Sequence, residues 1–388
     1  MGDAHHHAGE TLGRYTLVEH LGDGAMGSVW KGLHVALKKP VAVKLLREEF
    51  GRSPEFRERF VREGEAAARV RHPNVVEIFD VGEERGVAWL AMELLEGECL
   101  ADKLDREGAL PVSEAVDLLL PVLAAVSAAH EEGVVHRDLK PENIFISLTR
   151  DGARVPKVLD FGISRVVDDA SGRIRTQTDM ILGTPQYMAP EQARGDRNID
   201  DRADQYALGA IAYECVTGAL AITNGAVYEM LDRVVRGQFP APRAVRPELP
   251  EALEAVICRA MSRDPAARFR SIRSFGASLM PFASELAHAT WAPVFDIGEI
   301  LLSSPTVVQP PPSFASPPIA AEAAPTLVDE APTHVRQAAD TLVDANPDRE
   351  GTTTPIRRRR PTSVIVGAIL AFGVVVAALI VVAARLSR

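Results

Sequence analysis

The chain has 388 residues, of which 46% are hydrophobic and 25% charged, with a formal charge of −10. That balance suits a packed protein and excludes broad nucleic-acid binding, which needs a concentrated basic face. The three cysteines, Cys99, Cys215 and Cys258, are far apart and odd in number, which excludes a disulfide framework or zinc site as the organising feature and fits a reducing compartment.

Residues 1–14 carry His5, His6 and His7 but no apolar run that could serve as a secretory signal, and read as an unstructured leader. Five short apolar runs follow, each bounded by Gly, Pro or Asp: Tyr15–Leu21, Ser28–Leu33, Val41–Leu46, Val75–Val81 and Val87–Glu93. These read as strands. Between the third and fourth, Phe56, Phe60, Glu63, Ala67 and Val70 step by four and three residues, the spacing of one helix face. After Leu110 the pattern turns helical, at Ser113–Glu132, Arg202–Thr217, Ala226–Arg236 and Glu251–Ser262. Strands first and helices later predict two lobes of different class around a cleft.

From about Ser284 to Pro361 the composition changes. Twelve of the 27 prolines fall between Pro293 and Pro361, and a stretch so poor in aromatic residues cannot bury enough apolar surface to offset its ordering entropy. It is expected to be a disordered linker. Thr362–Ala384 then runs 23 residues without a charge, enough to cross a bilayer as a helix. The Arg357–Arg360 run before it puts the N-terminal bulk on the cytoplasmic side, leaving residues 385–388 outside. The expected organisation is therefore 1–14 leader, 15–283 catalytic domain, 284–361 linker, 362–384 membrane span and 385–388 tail, on a single-pass protein of the cell (inner) membrane.

Chemistry concentrates in the first 200 residues. Gly22-Asp23-Gly24-Ala25-Met26-Gly27-Ser28-Val29 lies between the first two strands, where glycines let a backbone approach phosphate oxygens. A dinucleotide fold would need a helix next, whereas Ser28–Leu33 reads as a strand. Val41-Ala42-Val43-Lys44 places a lysine within an apolar strand, and Glu63, an acid on a core-facing helix stripe, is expected to be its partner. His136-Arg137-Asp138-Leu139-Lys140-Pro141-Glu142-Asn143 precedes two short apolar runs, Ile144–Ser147 and Val155–Leu159, which predict a β-hairpin. Closing that hairpin brings Asn143 towards Asp160 of Asp160-Phe161-Gly162, an amide and a carboxylate of the kind Mg²⁺ prefers. Asp138 could then orient a hydroxyl and accept its proton, with Lys140 neutralising a transferred phosphoryl group.

Gly22–Val29, Lys44, Glu63, His136–Asn143, Asp160–Gly162 and Ala189-Pro190-Glu191 resemble, in order, the signature set of eukaryotic-like protein kinases, and Gly183–Gln192 is similar to the bacterial Ser/Thr branch. The resemblance covers residues 15 to 283. It implies an α+β bilobal fold, with a small antiparallel-sheet lobe holding one main helix and a large, mostly helical lobe. It implies a non-specific serine/threonine protein kinase using ATP and Mg²⁺, with Mn²⁺ as a substitute, on protein substrates. Lys44 would hold the α/β-phosphates, Glu63 would position it, Asp138 would be the base, and Asn143 and Asp160 would bind the metal. Met92 falls at the gatekeeper position before the hinge Glu93–Leu95, and Ala42 lines the same cleft. Asp204 resembles the aspartate that braces the catalytic loop, and Glu191 with Arg268 resembles the ion pair holding the activation segment. Lys140 and Thr184 are the Ser/Thr-type choices.

Regulation follows as expectation. Arg137 would pair with phosphate on Thr176 or Thr178, sites of autophosphorylation. Thr326 and Thr341 open a repeated Thr-Leu-Val-Asp, which resembles motifs read by forkhead-associated domains. Gly367 and Ala371 have the small-xxx-small spacing that makes a homodimer an option. The alternative from another class is a membrane-anchored pseudokinase scaffold, which would lack an equivalent of Lys44, Asp138 or Asp160; all three are present.

Overall fold

A computed structural model describes residues 6–24, 26–161, 185–196, 198–223 and 225–295. Six strands form the first sheet: β1 (Thr11–Leu12), β2 (Tyr15–Asp23), β3 (Gly27–His34), β4 (Pro40–Leu46), β5 (Ile78–Glu84) and β6 (Val87–Met92). Their order is β1-β2-β3-β4-β6-β5, with every pairing antiparallel. β4 is buried on both faces, which is why it reads as an unbroken apolar run. Val41, Val43 and Leu45 join Tyr15, Leu17 and Trp89 on one side; Ala42 and Leu46 join Phe60, Leu90 and Met92 on the other. Strand alternation puts Lys44 on the second side, with the helix Pro54–Ala67.

Three sequence expectations shift here. Thr11 and Leu12 belong to the sheet rather than to a leader: they pair with Thr16 and Tyr15, and Leu12 is buried. The fourth strand starts at Ile78, not Val75, because Val75 and Val76 are drawn to the other lobe, where Val76 N–H donates to the Val158 carbonyl at 3.0 Å. On the helix Pro54–Ala67 the buried positions are Phe60, Gly64 and Ala67, so Glu63 sits at the margin of the stripe, not within it.

The larger lobe packs around the helices Val112–Glu131 and Arg202–Thr217. Val112–Glu131 is the one described helix long and apolar enough to cross a membrane, yet most of it is buried in the lobe, and it serves as a core helix. A second sheet joins β7 (Gly97–Cys99), β8 (Ile144–Leu148) and β9 (Arg154–Val158). The β8–β9 pair is the hairpin expected from sequence, with Ile144 opposite Val158.

The folded unit also runs past the expected boundary at 283. Glu285–Phe295 forms a helix on this lobe, with Phe295 2% exposed. Ser284 N–H donates to Asp117 Oδ1 at 2.9 Å, and Ser284 Oγ accepts from Ala287 N–H. The Phe295 ring fills a notch left by Gly276, where any Cβ would collide with it. The remaining linker residues, 296–361, and the span 362–384 lie outside the described residues.

Candidate active site

The glycine-rich segment is the tip of the β2–β3 hairpin, with Gly22 opposite Val29 and Asp23 opposite Ser28. Gly27 crosses β4 so closely that a Cβ would collide with the Leu45 carbonyl, so packing demands glycine there. At Gly22 a Cβ would meet nothing within 4 Å. Packing does not explain that glycine, and the room it leaves is what an approaching phosphate group would need. Ala25 lies outside the described residues.

Lys44 Nζ sits 2.7 Å from Asp160 Oδ1. The Lys44–Glu63 pair expected from sequence is not among the ion pairs of the described residues; Glu63 is partly buried at the margin of its helix face, and Lys44 pairs with Asp160 instead. Asp160 has a positive φ of 58°, as does Arg137 at 66°. Both are non-glycine residues in the left-handed region, a local strain found at functional sites. Burial works against charge on Asp160, but the Lys44 ammonium, with Lys140, holds its carboxyl below the ordinary aspartate range.

The catalytic-loop candidates converge on the same place. Lys140 Nζ lies 2.9 Å from Asp138 Oδ2. Asn143 Nδ2 donates to the Asp138 carbonyl at 2.7 Å, which leaves its Oδ1 as an acceptor. Leu159 N–H donates to the Asn143 carbonyl at 2.9 Å, so the hairpin does carry Asn143 to the residue before Asp160. Asp138 N–H donates to His136 Nδ1 at 3.3 Å; Nε2 therefore carries the proton and donates to the Leu159 carbonyl at 2.8 Å. His136 thus ties the loop to the strand that delivers Asp160.

Asp204, fully buried, anchors the loop from beneath. Its Oδ2 accepts from His136 N–H at 2.8 Å and from His130 Nε2 at 2.7 Å, and its Oδ1 accepts from Arg137 N–H at 2.8 Å. Burial raises its carboxyl, but the hydrogen bond from His130 and these neighbours prevail and hold it below its ordinary value of 3.8. A carboxyl depressed on folding contributes stability above its unfolded pKa and loses it as pH falls through the folded one. Stability is therefore expected to drop steeply below pH 3.8, and Asp204→Asn to flatten that acid limb in pH-dependent unfolding; an unchanged acid limb would count against the charge on Asp204.

Further features were harder to read from sequence. His130 is six residues before His136, and its partner lies 74 residues away. Lys157 Nζ pairs with Glu93 Oε2 at 2.8 Å beside the hinge, and Gln192 Nε2 donates to the Arg137 carbonyl at 2.8 Å. Glu191 and Arg268 form the expected pair with two parallel bonds of 2.6 and 2.8 Å. Met92 ends β6 opposite Ala42, and Leu95 packs against the same small-lobe cluster. Arg137 Nη2 donates to the Ile199 carbonyl at 3.1 Å. Gly162, Thr176, Thr178, Thr184, Thr326 and Thr341 lie outside the described residues.

Comparison with known proteins gives the family. Residues 15–278 match the protein kinase domain model. The serine/threonine-protein kinase pkn3 of Myxococcus xanthus is 37% identical over 296 residues, covering 75% of this chain and 54% of the relative. The serine/threonine-protein kinase PknH of Mycobacterium tuberculosis (strain ATCC 25618 / H37Rv) is 40% identical over 263 residues, covering 68% and 41%. The crystal structure of the Mycobacterium tuberculosis PknI kinase domain superposes with a TM-score of 0.58 at 33% identity, covering 72% of this chain and all of that one. The chain spans about half the length of the curated relatives it matches or less. The match takes in more than half of the chain and every described residue of the site, and the chain belongs to the protein kinase domain family.

Proposed function

We propose that this chain is a Ser/Thr protein kinase that transfers the γ-phosphoryl group of ATP to protein hydroxyls. The observation that carries the reading is the convergence of Lys44, Asp138, Lys140, Asn143 and Asp160 on one cleft, above a loop held by Asp204. The residues fit the nucleotide and metal that such a reaction needs. Gly22 leaves room for phosphate, Lys44 supplies a cation, and Asn143 Oδ1 and the Asp160 carboxylate are hard oxygen ligands suited to Mg²⁺. When bound, the metal neutralises phosphate charge.

Asp138 orients the acceptor hydroxyl and takes its proton; Lys140, already 2.9 Å away, offsets charge on the transferred group. Lys140 and Thr184 support Ser/Thr over Tyr as the acceptor. The charge-free stretch 362–384 supports a membrane-held enzyme with its catalytic domain in the cytoplasm, where ATP is.

One experiment tests both parts: Mg²⁺-dependent γ-phosphate transfer by the full chain, assayed in membrane and soluble fractions. Asp138→Asn is expected to slow transfer by about 10²–10⁴-fold, the range for losing a general base, with unchanged fractionation. Wild type without transfer to itself or a generic protein overturns the enzyme reading and favours a scaffold. Activity confined to the soluble fraction overturns the anchor alone.

A further inference from the structure

Arg47, the residue after β4, holds the tip of the glycine-rich hairpin twice. Its backbone N–H donates to the Met26 carbonyl at 2.8 Å, and its Nη2 donates to the Gly24 carbonyl at 2.7 Å. Glu49 Oε1, 3.3 Å from Nη1, steadies the guanidinium. Within the tip, Gly24 N–H donates to the Gly27 carbonyl at 2.7 Å. Gly27, where β3 leaves the tip, is held by its tight crossing over Leu45, and the Arg47 side chain tethers the tip at Gly24, on the side of β2.

We propose that Arg47 is a positioning residue for this loop and, through it, for the phosphates of the bound nucleotide; this rests on the kinase reading above. A segment with glycine at 22, 24 and 27 loses more conformational entropy on ordering than it would with side chains at those positions. Unless the loop is held beforehand, that cost falls on ligand binding. Arg47 meets part of it in the free protein. Because Lys44 lies three residues earlier, on the strand that ends just before Arg47, one strand end links the loop tether to the phosphate-binding lysine. Arg47 acts on the loop carbonyl, not on the ligand.

The test compares wild type, Arg47→Ala and Arg47→Lys in the full chain, by equilibrium binding of MgATP and of adenosine. Hydrogen exchange over residues 22–27 is followed in the nucleotide-free protein. Arg47→Ala is expected to weaken MgATP binding about fivefold to tenfold, as for loss of a partly exposed charge-assisted hydrogen bond. Adenosine binding should stay within about twofold, because the loop faces phosphates, and exchange in the loop should rise. Arg47→Lys, which keeps the charge and one donor, should recover part of both effects. Unchanged MgATP affinity in Arg47→Ala overturns the proposal alone. So does weaker binding with unchanged loop exchange, which would make Arg47 a direct phosphate ligand. Failure of wild type to bind MgATP overturns the kinase reading and this proposal with it.

Discussion

Arg268→Ala is expected to lower the unfolding free energy of the catalytic domain by about 3–5 kcal/mol, the cost of breaking a buried ion pair from one side. Arg268 is fully buried and makes four hydrogen bonds. Two go to the Glu191 carboxylate, one from Nε to the Ser262 carbonyl at 2.9 Å, and one from Nη1 to the Arg202 carbonyl at 2.7 Å. Its guanidinium also lies over the Tyr206 ring. Alanine would leave Glu191, 6% exposed, as an uncompensated charge, along with two carbonyls lacking their donor. Removing both charges in Glu191→Gln with Arg268→Met should cost less than Arg268→Ala alone, since the penalty comes from the stranded carboxylate. Urea unfolding of the two variants beside wild type decides it. A single variant within about 1 kcal/mol of wild type would show that water replaces the arginine.

Ending the folded part at Ala283 should be nearly as damaging. The helix Glu285–Phe295 covers the helices Val112–Glu131 and Ile272–Leu279, and its anchor is the Phe295 ring in the Gly276 notch. Phe295→Ala is expected to cost about 3–5 kcal/mol, as for other buried phenylalanines. Gly276→Ala should cost about 1–3 kcal/mol, because its Cβ displaces the same ring. If the notch is the docking point, combining the two changes should cost less than their sum, because the ring that alanine would strike is gone. Thermal unfolding of a chain stopped at 283, next to one stopped at 295, gives the direct comparison. Equal midpoints would remove the helix from the fold.

These cases also mark what the sequence could reveal. Asp138, Asn143 and Asp160 were legible because an octapeptide, a hairpin and a tripeptide constrain one another within 27 residues, and short-range closure leaves few geometries. The Glu191–Arg268 pair lies 77 residues apart and was reached only through resemblance. Glu63 failed for a subtler reason. Steps of four and three select a helix face but do not fix its rotation by one residue, and the packing of Gly64 against Val81 and Leu90 turned the stripe away from Glu63. The helix at 285–295 was hidden because Pro293 and the alanines around it share the composition of the linker that follows. Its partner, a glycine notch, has no signature of its own.

The Lys44–Asp160 contact has one further consequence. A lysine and an aspartate 2.7 Å apart cancel most of each other's field, so the cleft in this arrangement offers little net attraction to a lone cation or a lone anion. An anion that engages Lys44 competes with Asp160 for the ammonium, and the carboxylate, less fully neutralised, is then a better cation ligand than before. By linkage the reverse holds equally: a cation on Asp160 frees Lys44. A single ion pair thereby makes the cleft selective for the two charges arriving together.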